Sequence, residues 1–160
     1  MLRKFSNPKA FRIRTSPRIS VDLDAVVADA NVLLSAVVGG AAHRIFAEYE
    51  LRVHAARFNL IEVEEYLPRM AKKYQLPLDL VFLRWRVLPV QAHEKSEYQN
   101  EFRRASIDLK ERDPEDAHAL ALARALGLPL WSNDRDLANR GVRCYPTARL
   151  LCLLFDQARS

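Results

Sequence analysis

Asp29, Glu62, Asp116 and Asp134 are the residues whose type and spacing point to chemistry. Asp29 closes the apolar run DAVVAD, Asp134 follows LPLWS, and Asp113 and Asp116 head the segment DPEDAHALALARALG. Glu62 lies in LIEVEEYL. If the apolar runs are parallel strands, their carboxyl ends share one sheet edge, where α/β proteins bind ligands. Helix N-termini gather on that edge too, so Asp116 can point where Asp29 and Asp134 point, and Glu62 can close the ring. Each acid alone has a local use. Asp29 and Asp134 can cap the turns after them, Asp113 with Asp116 reads as a capping box, and Glu62 as a solvated helix residue. Four together repel one another, and such a cluster is hard to keep unless a cation fills it.

A hard divalent ion suits that filler, because Mg²⁺ and Mn²⁺ prefer carboxylate and water oxygens. Zinc finds no ligand set here. Cys144 and Cys152 have no metal-motif spacing, and His43, His54, His93 and His118 are scattered. The cysteines read as reduced packing residues of a cytoplasmic protein, the histidines as surface or half-buried groups. A carboxylate-held ion without a phosphate loop is suited to phosphodiester hydrolysis. No glycine-rich P-loop supports a kinase or ATPase. No DxDxT follows the first strand, and no late Lys serves a receiver domain.

The elements that must position these acids alternate. Strands are expected at Asp24–Asp29, Leu51–Ala55, around Pro89, at LPLWS and at VRCY. Between them, NVLLSAVV forms a short helix closed by Gly39-Gly40, and AAHRIFAEYE an amphipathic one. FNLIEVEEYLPRMAKKYQ is helical with a kink or break at Pro68. Pro77 starts a helix with Leu80, Leu83 and the Val81/Trp85/Leu88 stripe inward. Glu94 to Arg112 is a charged helix carrying Tyr98, Phe102, Ala105 and Leu109 at helical spacing. Asp113-Pro114 opens the next helix, which stops at Gly127, and Thr147 caps the last one. NDRDLANRG is a loop or short helix. Such alternation predicts an α/β sandwich around a mostly parallel sheet.

VVADANVLLSAV, LIEVEEYL and RDPEDAHALALARALGLPLWSNDRDL, in that order, resemble the successive signatures of the PIN domain. The resemblance spans roughly residues 25–157, and its last segment is the most specific. It implies a three-layer α/β sandwich with helices on both faces of the sheet. It also implies a metal-dependent ribonuclease, a class that includes toxins of bacterial toxin–antitoxin pairs. Carried over, Asp29, Asp116 and Asp134 match the metal-coordinating aspartates and Glu62 the family's glutamate, with Glu65 as the alternative register. Asn31 matches the small polar residue after the first aspartate, which steadies that carboxylate or a metal-bound water. Ser132 matches the residue that holds the last acid by hydrogen bonding, and Asp113 and Asp136 flank motif acids. The implied cofactor is Mg or Mn, and the implied partners are an RNA substrate and, for a toxin, a protein antitoxin. The alternative is a catalytically silent RNA- or protein-binding module on the same fold.

Composition bounds the rest. The 160 residues are 49% hydrophobic and 28% charged, as expected of a single globular domain. The net charge of +5 is unevenly placed. Residues 1–20 carry Arg3, Lys4, Lys9, Arg12, Arg14 and Arg18 and no acid, whereas residues 21–160 carry 19 basic and 20 acidic side chains. The chain therefore divides into a basic arm, 1–20, and a nearly neutral nuclease-like domain, 21–160. Arg12, Arg14 and Arg18 are candidates for phosphate contact; FRIR could instead add to a sheet edge, and the alternative for the whole arm is a solvated tail. Pro8 and Pro17 interrupt the helix that a transit peptide needs. Within the body, Arg84, Arg86, Arg103 and Arg104 could supply a basic stripe. No apolar stretch is long enough to span a membrane. The last helix, with Leu150, Leu151, Leu153, Leu154 and Phe155, is apolar nearly all round, hence either deeply buried or part of a homodimer contact.

Overall fold

A computed structural model describes residues 22–109 and 115–160. Five strands form one all-parallel sheet: β1 (Ala25–Ala28), β2 (Arg52–Ala56), β3 (Val90–His93), β4 (Leu130–Trp131) and β5 (Cys144–Tyr145), in the order β3-β2-β1-β4-β5. The helices between them are α1 (Ala30–Val38), α2 (Ala41–Glu48), α3 (Arg57–Lys73), α4 (Leu78–Val87), α5 (Gln99–Asp108), α6 (Asp116–Leu126) and α7 (Thr147–Arg159). This is the α/β sandwich that the alternation predicts.

Strand pleating divides the core into two layers, since neighbouring side chains point to opposite faces. Val26, Ala28, Val53, Ala55 and Trp131 face one side, where α1, α3, α4 and α7 bring Leu33, Leu67, Val81 and Leu150. Val27, Ala56 and Leu130 face the other, against Leu120 of α6 and Ala105 of α5. The middle strand, β1, is apolar and buried on both faces because both faces are covered. Gly127 ends α6 at φ +66°, in the left-handed region where glycine carries no Cβ penalty.

Several local expectations are corrected. Pro68 does not divide its helix: α3 runs unbroken for 17 residues. In α4 only Val81 is buried. Leu83 is 58% exposed and Leu80 also faces outward, because the inward stripe is Val81 with Trp85 and Leu88. The charged segment after β3 begins with a 3-10 turn, Lys95–Glu97, before α5. Thr147 is the first residue of α7 rather than its cap, which is Pro146. The Thr147 amide donates to Asn133 Oδ1 at 2.8 Å, and its hydroxyl accepts from the buried Trp131 indole at 3.0 Å. Of the apolar residues of α7, Leu150 and Leu154 are buried, Leu151 and Leu153 partly so, and Phe155 is 50% exposed. Cys144 and Cys152 are free thiols as expected, but Cys152 is exposed rather than packed. Among the described residues, no single helix is long and apolar enough to cross a membrane.

Candidate active site

The strand order reverses between β1 and β4, and ligands of open parallel sheets bind at such a switch point. Asp29 leaves β1 there and Ser132 leaves β4. The Asp29 amide donates to the Trp131 carbonyl at 3.2 Å, which ties the two strand ends together. Asp29 also caps α1, its Oδ1 accepting the Val32 amide at 3.0 Å. It is buried, at 5% exposure, and burial pushes its carboxyl above the ordinary value. Hydrogen bonds from Ser132 and from the Val32 amide pull the other way, while the charge of Asp134 raises it further.

Ser132 therefore serves a partner that its position in the chain does not suggest. Its hydroxyl bonds Asp29, and the same oxygen accepts the Asp134 amide at 3.1 Å. Asp134 is half-buried and caps the 3-10 turn Arg135–Leu137, with Oδ1 accepting the Asp136 amide at 2.9 Å. Asp136 is exposed.

Asp29 opens into a cavity of about 280 Å³ whose polar walls are Asn31, Asn59, Glu62, Glu115 and Asp116. Asn31 comes from the first turn of α1, Asn59 and Glu62 from α3, and Asp116 from the first residue of α6. Leu34, Ala119, Tyr66 and Met70 supply its apolar surface. Glu62 and Asp116 are half-buried. The Asn59 amide donates to Glu62 Oε1 at 3.4 Å, one helical turn away. Glu65, the alternative register for Glu62, is exposed.

The structure thus brings Asp29, Asn31, Glu62 and Asp116 to one cavity, with Asp134 close enough to Asp29 to raise its pKa. Among the described residues, no three acidic, histidine or cysteine side chains stand close enough together to hold a metal ion. The donor chemistry fits a hard cation nonetheless. The cavity offers carboxylate and amide oxygens, and one of them, Asn59 Oδ1, is buried with no hydrogen-bond partner. Asp113 lies outside the described residues, as do Arg12, Arg14 and Arg18.

Two wall residues, Glu115 and Asn59, are not among those the sequence singles out. Glu115 carries a signal, since it sits beside Asp116 in DPEDA. Asn59 carries none, because a polar residue in an amphipathic helix reads as solvated.

The four arginines that could supply a basic stripe do not line the cavity. Arg84 donates to the Val37 carbonyl at 3.3 Å, and Arg86 and Arg103 are exposed. Arg104 borders a different cleft, of about 790 Å³, at the amino ends of β4 and β5. Arg124 and Arg140 in that cleft are committed, at 2.6 and 3.1 Å, to the Asp108 carboxylate and carbonyl respectively. Beside the acidic cavity, His118 is buried rather than superficial. Its ring stacks on Phe58 with centroids 3.9 Å apart, and Nδ1 meets the Tyr98 hydroxyl at 2.9 Å. Burial, helped by Lys95, pushes its pKa down to about 4. His54 and His93 pair with each other at 2.8 Å.

A family model described as PIN domain matches residues 27–154. No curated protein matches the sequence. Among solved structures, PAE2754 from Pyrobaculum aerophilum aligns with a TM-score of 0.63 at 17% identity, over 91% of this chain and 99% of that one. A toxin–antitoxin complex from Klebsiella pneumoniae contains a chain that aligns at 0.55 and 18% identity, over 72% and 92%. VapC20 from Mycobacterium tuberculosis, described as a sarcin-ricin loop cleaving toxin, aligns at 0.55 and 16%, over 73% and 95%. At these identities the likeness is one of fold.

Proposed function

Because the chain belongs to the PIN-domain family, we propose that it is a divalent-metal-dependent endoribonuclease that hydrolyses phosphodiester bonds at the cavity that α1, α3 and α6 form beyond the carboxyl end of β1. The observation that carries this reading is the meeting of Asp29, Glu62 and Asp116 on one cavity wall, from three elements far apart in sequence.

Asp29, Asp116 and Asp134 would hold an Mg²⁺ or Mn²⁺ ion, with Glu62 as the fourth carboxylate. When bound, such an ion supplies Lewis-acid activation of water and neutralises charge on the phosphodiester. The chain's own groups prepare the site. Ser132 and the Val32 amide orient the Asp29 carboxylate and offset part of its burial cost. The Asn59 amide fixes one oxygen of Glu62. Asn31, at the exposed lip, is placed to meet substrate or water. Asp136 and Asp113 are assigned supporting roles beside the motif acids.

One observation favours a second reading, a silent RNA- or protein-binding module: no three described ligand-type side chains converge to metal-binding distance. Cleavage decides between them. Purified protein with Mn²⁺ or Mg²⁺ should cut single-stranded RNA, and EDTA should abolish cutting. Cutting that survives EDTA overturns the site assignment, and RNA binding without cutting selects the silent module. The Klebsiella complex and VapC20 support a toxin role within the nuclease reading. The expected partner is then a protein antitoxin that suppresses this cleavage when it co-purifies.

A further inference from the structure

Asn59 is the third residue of α3 and only 2% exposed, yet it caps nothing: the N-cap is Ala56, with no side-chain capping bond. Its side-chain orientation follows from Glu62. With Nδ2 donating to Glu62 Oε1, Oδ1 is left over; the flipped amide would set carbonyl oxygen against carboxylate oxygen. That Oδ1 is the one buried side-chain nitrogen or oxygen among the described residues without a hydrogen-bond partner.

Burying an acceptor unpaired is costly, and an apolar residue would fill the same position without that cost. Of the other described wall residues, only Asn31 and Tyr66 carry a side-chain donor, and neither bonds it. Ionised carboxylates, here Asp29, Glu62, Glu115 and Asp116, only accept. What satisfies a neutral oxygen and four carboxylates alike is a cation or the protons of its hydration shell, and hard divalent ions take amide oxygens readily.

We propose that Asn59 is a neutral oxygen ligand of the acidic cavity, its side-chain carbonyl accepting a hydrated divalent cation that the surrounding carboxylates hold. The inference rests on the metal-dependent reading above and adds to it a group with two tasks. The nitrogen of Asn59 steadies Glu62, and its oxygen faces the ion. An amide in this role adds coordination without adding to the repulsion among the acids.

The test is Mn²⁺ titration of the full chain without RNA, followed by electron paramagnetic resonance of the free ion. Asn59→Ala should raise the Mn²⁺ dissociation constant ~10-fold, the lower end for groups that support metal ligands. That result alone would also follow if Asn59 merely held Glu62, so Asn59→Asp separates the two tasks. It restores the oxygen, removes the N–H and sets a like charge against Glu62. Binding at least as tight as the parent is expected; binding as weak as in the alanine variant overturns the proposal. Asn59→Ala combined with Asn31→Asp adds the same charge elsewhere on the wall and should not restore affinity. Restoration there would show a bulk charge effect and overturn the ligand role. Unchanged affinity in Asn59→Ala overturns it too, leaving water as the partner of Oδ1. Urea melts without metal establish that each variant folds. A parent chain that binds Mn²⁺ but cuts no RNA refutes the nuclease reading while the Asn59 comparison still reads out. A parent that binds no Mn²⁺ refutes both.

Discussion

Asp29 carries two demands that pull against each other. As the cap of α1 it needs an acceptor oxygen, which asparagine supplies about as well as aspartate. As a buried carboxylate beside Asp134 it carries a charge that burial penalises and that a cation would relieve, and asparagine carries none. Asp29→Asn therefore isolates the charge. Metal-free stability should hold or rise, because a desolvated negative charge is removed while the Val32 bond is kept. The stabilisation gained on adding Mn²⁺, which scales with affinity for the folded state, should shrink, and RNA cleavage should fall to background. Paired thermal melts with and without Mn²⁺ check this; an intact Mn²⁺ shift with undiminished cleavage would leave Asp29 as a cap alone. Asp29, Asp116 and Asp134 stand out in the sequence because each follows a strand or heads a helix, whereas Glu62, inside α3, stands out only through the family resemblance. The partners that tune them do not. Ser132 lies two residues from Asp134, yet its hydroxyl serves Asp29 across the sheet, a neighbour that only strand pairing creates.

At the scale of elements, alternating apolar runs and helical patterns are enough to identify five strands and the helices between them. Boundaries and faces are less legible. LPLWS and VRCY read as strands of four or five residues, but only Leu130–Trp131 and Cys144–Tyr145 pair in register. Leu80 and Leu83 read as core because leucine in a helix invites it, but α4 presents a single narrow stripe to α3 and α1. The junction of β4 with α7 is equally invisible. Trp131 is fully buried, and its indole N–H is satisfied by Thr147 Oγ1. Thr147→Val keeps the shape and deletes that acceptor, leaving a buried donor unpaired. Destabilisation of about 1–3 kcal/mol is expected from urea denaturation with an unchanged m-value. Asn133→Ala, which removes only the bond to the α7 amide, should cost no more than about 2 kcal/mol, the upper range for a missing helix cap.

Across the whole molecule, charge and site are distributed in a way that bears on how RNA would be held. Among the described residues the cavity walls carry four acids and no base, and the basic side chains of residues 21–160 are balanced by acids. Of the arginines in the 790 Å³ cleft, Arg124 and Arg140 are tied up in holding α6 to the loop before β5. A polyanion approaching so acidic a cavity needs cations from elsewhere. Residues 1–20, with six basic side chains and no acid, are the richest source in the chain. Deleting residues 1–20 should therefore weaken RNA binding, measured in EDTA so that no cleavage intervenes, and should flatten its salt dependence. Every phosphate that the arm no longer neutralises takes about 0.7 from the slope of log K against log salt on a single strand. With six cations removed, a slope reduced by about 2 to 4 is expected if half or more of them touch phosphate. An unchanged slope would assign the arm another role. Fluorescence anisotropy of a labelled oligonucleotide across a salt series reads this slope, because each arm cation that neutralises a phosphate displaces a counterion from the RNA into solution.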